Sequence, residues 1–442
     1  MIARGLNPYP PEGLMMSPFQ VIIYPPLYFQ ICSLFLHGKI SYFWPRVVSI
    51  AATFISAIFY YLFAKRIGQN KVSAWLAALL FMSFMAVWLW SCKGRVDALS
   101  IALSLVALYF YSGQTAKSIT LSALMLALAT LSKQPSALLV PALCIDLLCR
   151  RQVKQAFLYG GVFVGAMSLA MVFFQDTTSG GFIAHMRFAS HMPYVTKYLL
   201  ARLELMKIDL LKFVLAAVAS GSLVVQFIKR TLSPEQNNCL RLSLLLLLCT
   251  VPATFYTAGT AYSNINHFLV ALLPFPLLII APVLSRQNNL WQNIYSRTAI
   301  ATGAVSAALL LFLAVTLFSP SKSIGPNLTN KVSQETFAAL VKDKSILAED
   351  AGYSVLFGCQ TEPVDITTFL QVLGLDGAQE RNMTERIVNK RYAAVVINHK
   401  EIDGSRDMPQ WAESLKVELK KHYRLLGQIN GNNESQDVFI PR

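Results

Sequence analysis

The sequence predicts a mainly α-helical, polytopic transmembrane bundle that carries a small C-terminal α/β domain. Three observations predict it. Of 442 residues, 55% are apolar and only 14% charged, against roughly 25% charged in a soluble domain. Long apolar runs recur between residues 41 and 318, several of them near the ~20 residues that a spanning helix needs. Acidic residues are sorted along the chain: Glu12, Asp97, Asp146, Asp176, Glu204, Asp209 and Glu235 are the only ones before residue 319, and all others follow it. A disordered chain and an ordinary cytosolic enzyme are excluded on these grounds. The formal net charge of +15 arises almost wholly in the apolar part, spread thinly between hydrophobic runs. That distribution excludes nucleic acid as the partner and points to membrane lipids and an anionic substrate.

Taken in order, residues 1–40 read as a Pro-rich loop with interfacial helices. Residues 41–318 read as the bundle, with about ten spans near 41–64, 73–91, 97–112, 118–131, 135–149, 156–174, 206–228, 242–259, 267–285 and 298–318. An even count puts both ends of the chain on one side. Short loops on one face hold Lys65, Arg66, Lys71, Lys117, Arg150, Arg151, Lys154, Lys229, Arg230, Arg241, Arg286 and Arg297, while the opposite short loops hold only Lys93, Arg95 and Lys133. The positive-inside rule assigns the first set to the cytoplasm. The N-terminal segment, the long loop 175–205 and the C-terminal domain then face outward, as in a multi-pass protein of a bacterial inner membrane. From 319 to 442 the pattern changes. Segments SILAED, YSVLFG, YAAVVIN and SQDVFI read as strands, and SQETFAALVKD, QERNMTERIVNK and MPQWAESLKVELKKHY as amphipathic helices, an alternation that suits a small α/β domain. The seven cysteines form no CxxC pair and sit mostly in apolar runs, which marks them as small buried hydrophobes.

Ionisable groups at membrane depth are functional candidates by default, and here they gather at the outward ends of the spans. GLNPY places Tyr9, and YPPLY places Tyr24 and Tyr28. RVVS places Arg46 at the head of the first span. KGRVD places Arg95 and Asp97 before the third, SKQP places Lys133 between the fourth and fifth, and YSNINH places Tyr262, Asn266 and His267 before the ninth. Each has a plain structural reading: Asp97 in an ion pair with Arg95, Lys133 snorkelling to the surface, His267 in a structural hydrogen bond. Clusters at the outward ends of several spans favour the functional one.

In that order, the motifs GLNPY, YPPLY, RVVS, RVD, SKQP and NHFL resemble those of membrane glycosyltransferases with a GT-C fold. They are most similar to glycosyltransferase family 39, related to the protein O-mannosyltransferases and the lipid A aminoarabinose transferase. The resemblance covers roughly residues 1–318. It implies a sugar donor carried on a polyprenyl phosphate, and a lipid, glycan or protein acceptor on the outer face. It implies a carboxylate as general base and cations at the leaving phosphate. On the positions of this chain, it gives Asp97 a catalytic role. It places Arg46, Arg95, Lys133 and His267 by the donor phosphate, and Tyr9, Tyr24, Tyr28, Tyr262 and Asn266 along the substrate. Tyr24 stands where relatives often carry Lys. No cofactor is implied, and a divalent metal is left open. The family's expected base ends a helix that precedes GLNPY, whereas this chain begins at Met1. The sequence therefore leads one to expect a natural start upstream, with a truncated non-catalytic relative as one alternative reading and a lipid or glycan transporter as the other.

Overall fold

The computed structural model describes residues 2, 5–14, 22–36, 43–188, 192, 194–260, 263–281, 331–348, 357–362, 378–405, 411–430 and 435–442. The predicted span 298–318, the strand segment 353–356 and Tyr262 lie outside the described residues.

The membrane part is a bundle of helices. A short helix α1 (Leu27–Leu36) precedes α2 (Phe43–Arg66), α3 (Lys71–Met82), α4 (Met85–Ser91), α5 (Val96–Tyr111) and α6 (Ala116–Ser132). A 3-10 turn at Gln134–Leu138 leads into α7 (Leu139–Cys149), followed by α8 (Val153–Thr177), α9 (Gly181–Phe188), α10 (Thr196–Met206), α11 (Leu210–Ile228) and α12 (Pro234–Ala258). A second 3-10 turn, Ile265–Phe268, opens α13 (Leu269–Leu272) and α14 (Phe275–Ile280). Phe43–Arg66, Val153–Thr177, Thr196–Ile228 and Pro234–Ala258 are each long and apolar enough to cross a membrane, and α3 with α4 make a fifth, bent candidate. Three more apolar helices of the bundle, Val96–Tyr111, Ala116–Ser132 and Gln134–Cys149, are shorter.

Helix α5 lies between α2 and α6, and its buried face is rich in small residues: Ala98, Ser100, Ala102, Ser104 and Ala107. Between membrane helices, where lipid offers no hydrophobic gain, small side chains and hydroxyl bonds supply the attraction. Ser100 Oγ shares a hydrogen bond with Ser136 Oγ at 2.7 Å, Ser104 Oγ shares one with the same atom at 2.9 Å, and Ser122 donates to the Ala107 carbonyl at 2.7 Å. One end of the bundle is closed by Asp146 of α7. Its buried carboxylate accepts from Tyr111 Oη at 2.6 Å, Arg150 Nε at 2.8 Å and Arg241 Nε at 2.7 Å, joining α5, α7 and α12.

The apolar run 73–91, expected as one span, is broken. Helices α3 and α4 meet at 70°, although neither Gly nor Pro lies between them. Phe84 is extended (φ −63°, ψ 132°), and the backbone groups freed at the break find side chains on α11 and the turn before it. Met85 N–H donates to Asp209 Oδ2 at 3.0 Å, and Lys212 Nζ donates to the Ser83 carbonyl at 2.7 Å and to Asp209 Oδ1 at 2.5 Å. Irregular backbone at membrane depth is tolerated where protein groups satisfy it in this way. The long loop 175–205 is also more ordered than its sequence implied, since it folds into α9 and the greater part of α10. Helix α12 starts earlier than the apolar run. Ser233 and Gln236 form a capping box with Pro234 at the first turn, which starts the helix in polar sequence.

The C-terminal part contains a five-stranded mixed sheet of order β2-β1-β3-β5-β4. Its strands are β1 (Ser345–Ala348), β2 (Gln360–Glu362), β3 (Ala394–Asn398), β4 (Tyr423–Asn430) and β5 (Ser435–Pro441). Strand β1 pairs in parallel with β2 and β3, and β5 pairs antiparallel with β3 and β4. Helices α15 (Gln334–Val341), α16 (Ala378–Val388), α17 (His399–Ile402) and α18 (Glu413–His422) complete it. Strand β3 is buried along its whole length, as expected for a central strand covered on both faces. Strands β2 and β4 were not among the predicted elements.

Candidate active site at the head of helix α5

The turn at residues 92–95 brings α5 against the start of α2. Gly94 has φ +58°, and a Cβ there would lie 3.2 Å from the Pro45 side chain and 3.3 Å from the Arg46 nitrogen. Both the dihedral and the close approach call for glycine. Tyr28 Oη donates to the Pro45 carbonyl at 2.7 Å, and the single proton of Ser49 Oγ has two acceptors in reach, Tyr28 Oη at 3.1 Å and the Arg95 carbonyl at 3.2 Å. Arg46, Lys93 and Arg95 stay exposed around this turn. Lys93 Nζ and the Arg95 guanidinium both lie over the Trp90 ring, 4.3 and 4.8 Å from its centroid.

Directly beneath sits a buried polar cluster. Lys133, which closes α6, reaches Asp97 Oδ1 at 2.5 Å, and Asn266 Nδ2 donates to the same oxygen at 2.8 Å. Asp97 is 1% exposed, Lys133 5% and Asn266 4%. Ser132 Oγ donates to the Val96 carbonyl at 2.9 Å, which fixes the end of α6 on the start of α5. A lone carboxylate at this depth is strongly disfavoured, and the ammonium group compensates it. Asp97 Oδ2, Asn266 Oδ1 and His267 Nδ1 are shielded and have no hydrogen-bond partner among the described residues. Leaving such groups unpaired costs about 1–3 kcal/mol each. His267 shares its surroundings with Lys133, Asp97, Arg95 and Arg202.

The structure therefore brings together Asp97, Lys133, Asn266 and His267, with Arg95 and Arg46 above them. The ion pair foreseen for Asp97 is made by Lys133 and not by Arg95, and Lys133 is directed to a carboxylate where the resemblance placed it by the donor phosphate. Tyr9 and Tyr28 are buried and their hydroxyls are engaged: Tyr9 Oη donates to the Tyr24 carbonyl at 2.7 Å. Both act here as pins of the N-terminal segment. Tyr24 is half-buried beside Tyr28.

Helix α9 holds that segment in place. Its first residue, Gly181, is so close to Tyr9 that a Cβ would fall 1.7 Å from the Tyr9 carbonyl oxygen. Asn7 Nδ2 donates to the Thr178 carbonyl at 3.3 Å. The buried imidazole of His185 accepts the Ile22 N–H at Nδ1 (3.1 Å), so its Nε2 carries the proton donated to the Pro10 carbonyl at 3.0 Å. Burial lowers the pKa of His185 below its ordinary value, partly offset by the Pro10 bond. Gln134, next to Lys133, donates to the Ile23 carbonyl at 2.7 Å. One cation of the outward-facing loop 175–205 was not singled out in the sequence. Arg202 of α10 grips the Ser263 carbonyl with Nε at 3.1 Å and Nη2 at 2.7 Å, steadying the segment that leads into the 3-10 turn of Asn266. Its position in the outward-facing loop 175–205 was the available signal.

Among the described residues no group of three or more His, Cys, Asp or Glu side chains is arranged to hold a metal ion. Residues 24–174, which include Arg46, Arg95, Asp97 and Lys133, match the dolichyl-phosphate-mannose-protein mannosyltransferase family. The chain is also similar to the crystal structure of ArnT from Cupriavidus metallidurans bound to undecaprenyl phosphate. The TM-score is 0.55 at 11% identity, and the match covers 99% of this chain and 96% of that one. The chain has an ArnT-like GT-C fold. No curated protein sequence gives a significant match. The helical bundle with a small C-terminal sheet that the sequence predicted is thus the observed architecture, and the GT-C resemblance holds at the level of the fold.

Proposed function

We propose that the chain is a glycosyltransferase that moves a sugar from a polyprenyl-phosphate donor to a hydroxyl of a lipid, glycan or protein acceptor. The observation that carries this reading is the buried Asp97 carboxylate, paired through one oxygen with Lys133 and Asn266 and unpartnered at the other. A general base must come within hydrogen-bond reach of the proton it takes, and Oδ2 is the oxygen left to do so. In the reaction, the acceptor oxygen forms a bond to the anomeric carbon as the bond from that carbon to the phosphate oxygen breaks. The phosphate leaves with the electron pair, the acceptor proton passes to Asp97 Oδ2, and the anomeric centre inverts.

The exposed cations Arg46, Lys93 and Arg95 gather at the turn before Asp97, and on this reading they receive the charge that develops on the leaving phosphate. A lipid-linked phosphate donor is supported by the fold-related ArnT, whose structure was solved with undecaprenyl phosphate. The site end of the bundle and the C-terminal domain face the outer side of a bacterial inner membrane on this reading, which rests on the basic loops of the opposite end.

The test is transfer of labelled sugar from undecaprenyl-phosphate donors in membranes holding the protein or its Asp97→Asn variant. The variant is expected to lose about 10²–10⁴-fold in rate while still binding undecaprenyl phosphate. Undiminished transfer would remove Asp97 from the base role. Donor binding by the unaltered protein with no turnover toward any acceptor class would instead favour a non-catalytic relative.

A further inference from the structure

Two buried oxygens and one ring nitrogen adjoin the Asp97–Lys133 pair with no partner among the described residues: Asp97 Oδ2, Asn266 Oδ1 and His267 Nδ1. Asn266 is 4% exposed. Its amide orientation is determined by its neighbour. Nδ2 donates to Asp97 Oδ1 at 2.8 Å, and the reversed amide would set oxygen against oxygen. Oδ1 is therefore the atom turned away from Asp97, and an amide oxygen only accepts. Buried polar atoms in native proteins are nearly all paired. Unpartnered ones on adjacent residues of one turn, Asn266 and His267, beside a buried ion pair, are atoms to which a ligand or a water can supply the missing groups. That ligand must bring O–H or N–H donors. A phosphate brings oxygen acceptors, which Asn266 Oδ1 and the Asp97 carboxylate repel.

We propose that Asn266 Oδ1 and His267 Nδ1 form a sugar-reading subsite, which takes a hydroxyl or amino group of the donor's sugar. The phosphate of the same donor rests on the exposed Arg46, Lys93 and Arg95. Arg202 supports the subsite by gripping the Ser263 carbonyl, three residues before Asn266. His267 is thereby moved from the phosphate to the sugar. The assignment rests on the glycosyltransferase reading above, and it adds what distinguishes a loaded donor from the bare lipid phosphate left after transfer.

The experiment measures binding of the full chain, in nanodiscs, to bare undecaprenyl phosphate and to undecaprenyl phosphate bearing glucose, mannose or 4-amino-4-deoxyarabinose. At least one sugar-bearing lipid is expected to bind about tenfold tighter than the bare lipid, the gain from one or two satisfied hydrogen bonds. Asn266→Leu and His267→Phe are each expected to bring that ratio to near one and to leave binding of bare undecaprenyl phosphate unchanged, which also reports that they fold. Variants that keep the ratio would overturn the assignment and shift these atoms to the acceptor hydroxyl. Variants that lose the bare lipid as well would overturn it in favour of a structural or phosphate-holding role. If the unaltered protein binds the bare lipid with no preference for any sugar, the subsite fails and the glycosyltransferase reading stands. If it binds none of the four lipids, that reading fails and the subsite falls with it.

Discussion

Lys133 Nζ lies 2.5 Å from Asp97 Oδ1 inside the bundle, so two residues with separate expected roles form one electrostatic unit. Removing either partner leaves the other charge buried and unpaired, at a cost of about 3–5 kcal/mol. Asp97→Asn and Lys133→Met are each expected to lower the unfolding temperature markedly. The double variant is expected to recover most of that loss, because two neutral side chains need no partner. Thermal melts of the four proteins in one detergent check this non-additivity. Sugar transfer is expected to stay absent in the double variant, which separates the pair's part in folding from its part in chemistry.

The opposite end of the bundle should be as sensitive. Asp146 takes hydrogen bonds from Tyr111, Arg150 and Arg241 on three helices. Asp146→Ala leaves two half-buried guanidinium groups without their shared anion, and a destabilisation of about 3 kcal/mol is expected. Tyr111→Phe removes one neutral donor and is expected to cost about 1 kcal/mol. Denaturation of the two variants side by side measures the difference.

The N-terminal segment should loosen in acid. His185 is held neutral, with Nδ1 accepting from Ile22 and Nε2 donating to Pro10, and its folded pKa lies below the ordinary value of 6.5. A group with a depressed histidine pKa contributes stability that is present above the unfolded value and lost as pH falls through the folded one. The Tyr9 ring packs edge-on to His185 at 5.6 Å, and the other titratable groups on elements packed with α9 are Glu12 of the turn Pro11–Leu14 and Asp176 of α8, with Arg187 on α9 itself. Protection factors at residues 5–14 and 22–28, referred to the intrinsic exchange rate at each pH, are expected to fall as pH drops below 6.5. His185→Gln is expected to flatten that component of the pH dependence.

Two glycines separate close packing from open surface. Gly181→Ala drives a Cβ into the Tyr9 carbonyl, whereas nothing lies within 4 Å of a Cβ at Gly161. Gly181→Ala is expected to destabilise by several kcal/mol or to displace the N-terminal segment. Gly161→Ala is expected to be neutral or slightly stabilising, since alanine is the better helix former by about 1 kcal/mol. Melting temperatures of the pair decide it.

Much of this was legible in the sequence. The apolar runs at 41–64 and 156–174 became α2 and α8 because hydrophobicity over some twenty residues is a strong signal. Asp97, Lys133, Asn266 and His267 stood out as polar groups at span ends, and the fold joins them across as many as 169 positions. Their pairing was not legible, because it depends on which neighbour each helix end meets. Nor was the break at Ser83–Phe84, where the local sequence has no helix breaker and the cause lies in Asp209 and Lys212. Strand β4 was missed because Gly427, with φ +155°, sits at a bulge in the middle of it and interrupts the alternation. The engaged hydroxyls of Tyr9 and Tyr28 show the same limit: an aromatic in a loop motif has no direction until its partners are known.

The bend between α3 and α4 also bears on how the chain is made. The Met85 amide waits for a carboxylate 124 residues further along, and the Ser83 carbonyl for an ammonium 129 residues further along. At ribosomal speeds of about 5–20 residues per second, that delay is roughly 6–25 s. During it the first bent span has no native means of closing its own backbone. It must either stay straight and break later, or hold the gap against water or the insertion machinery. Synthesis order and assembly order therefore differ in this protein, and α11 is the piece that sets the earlier helices in their final form.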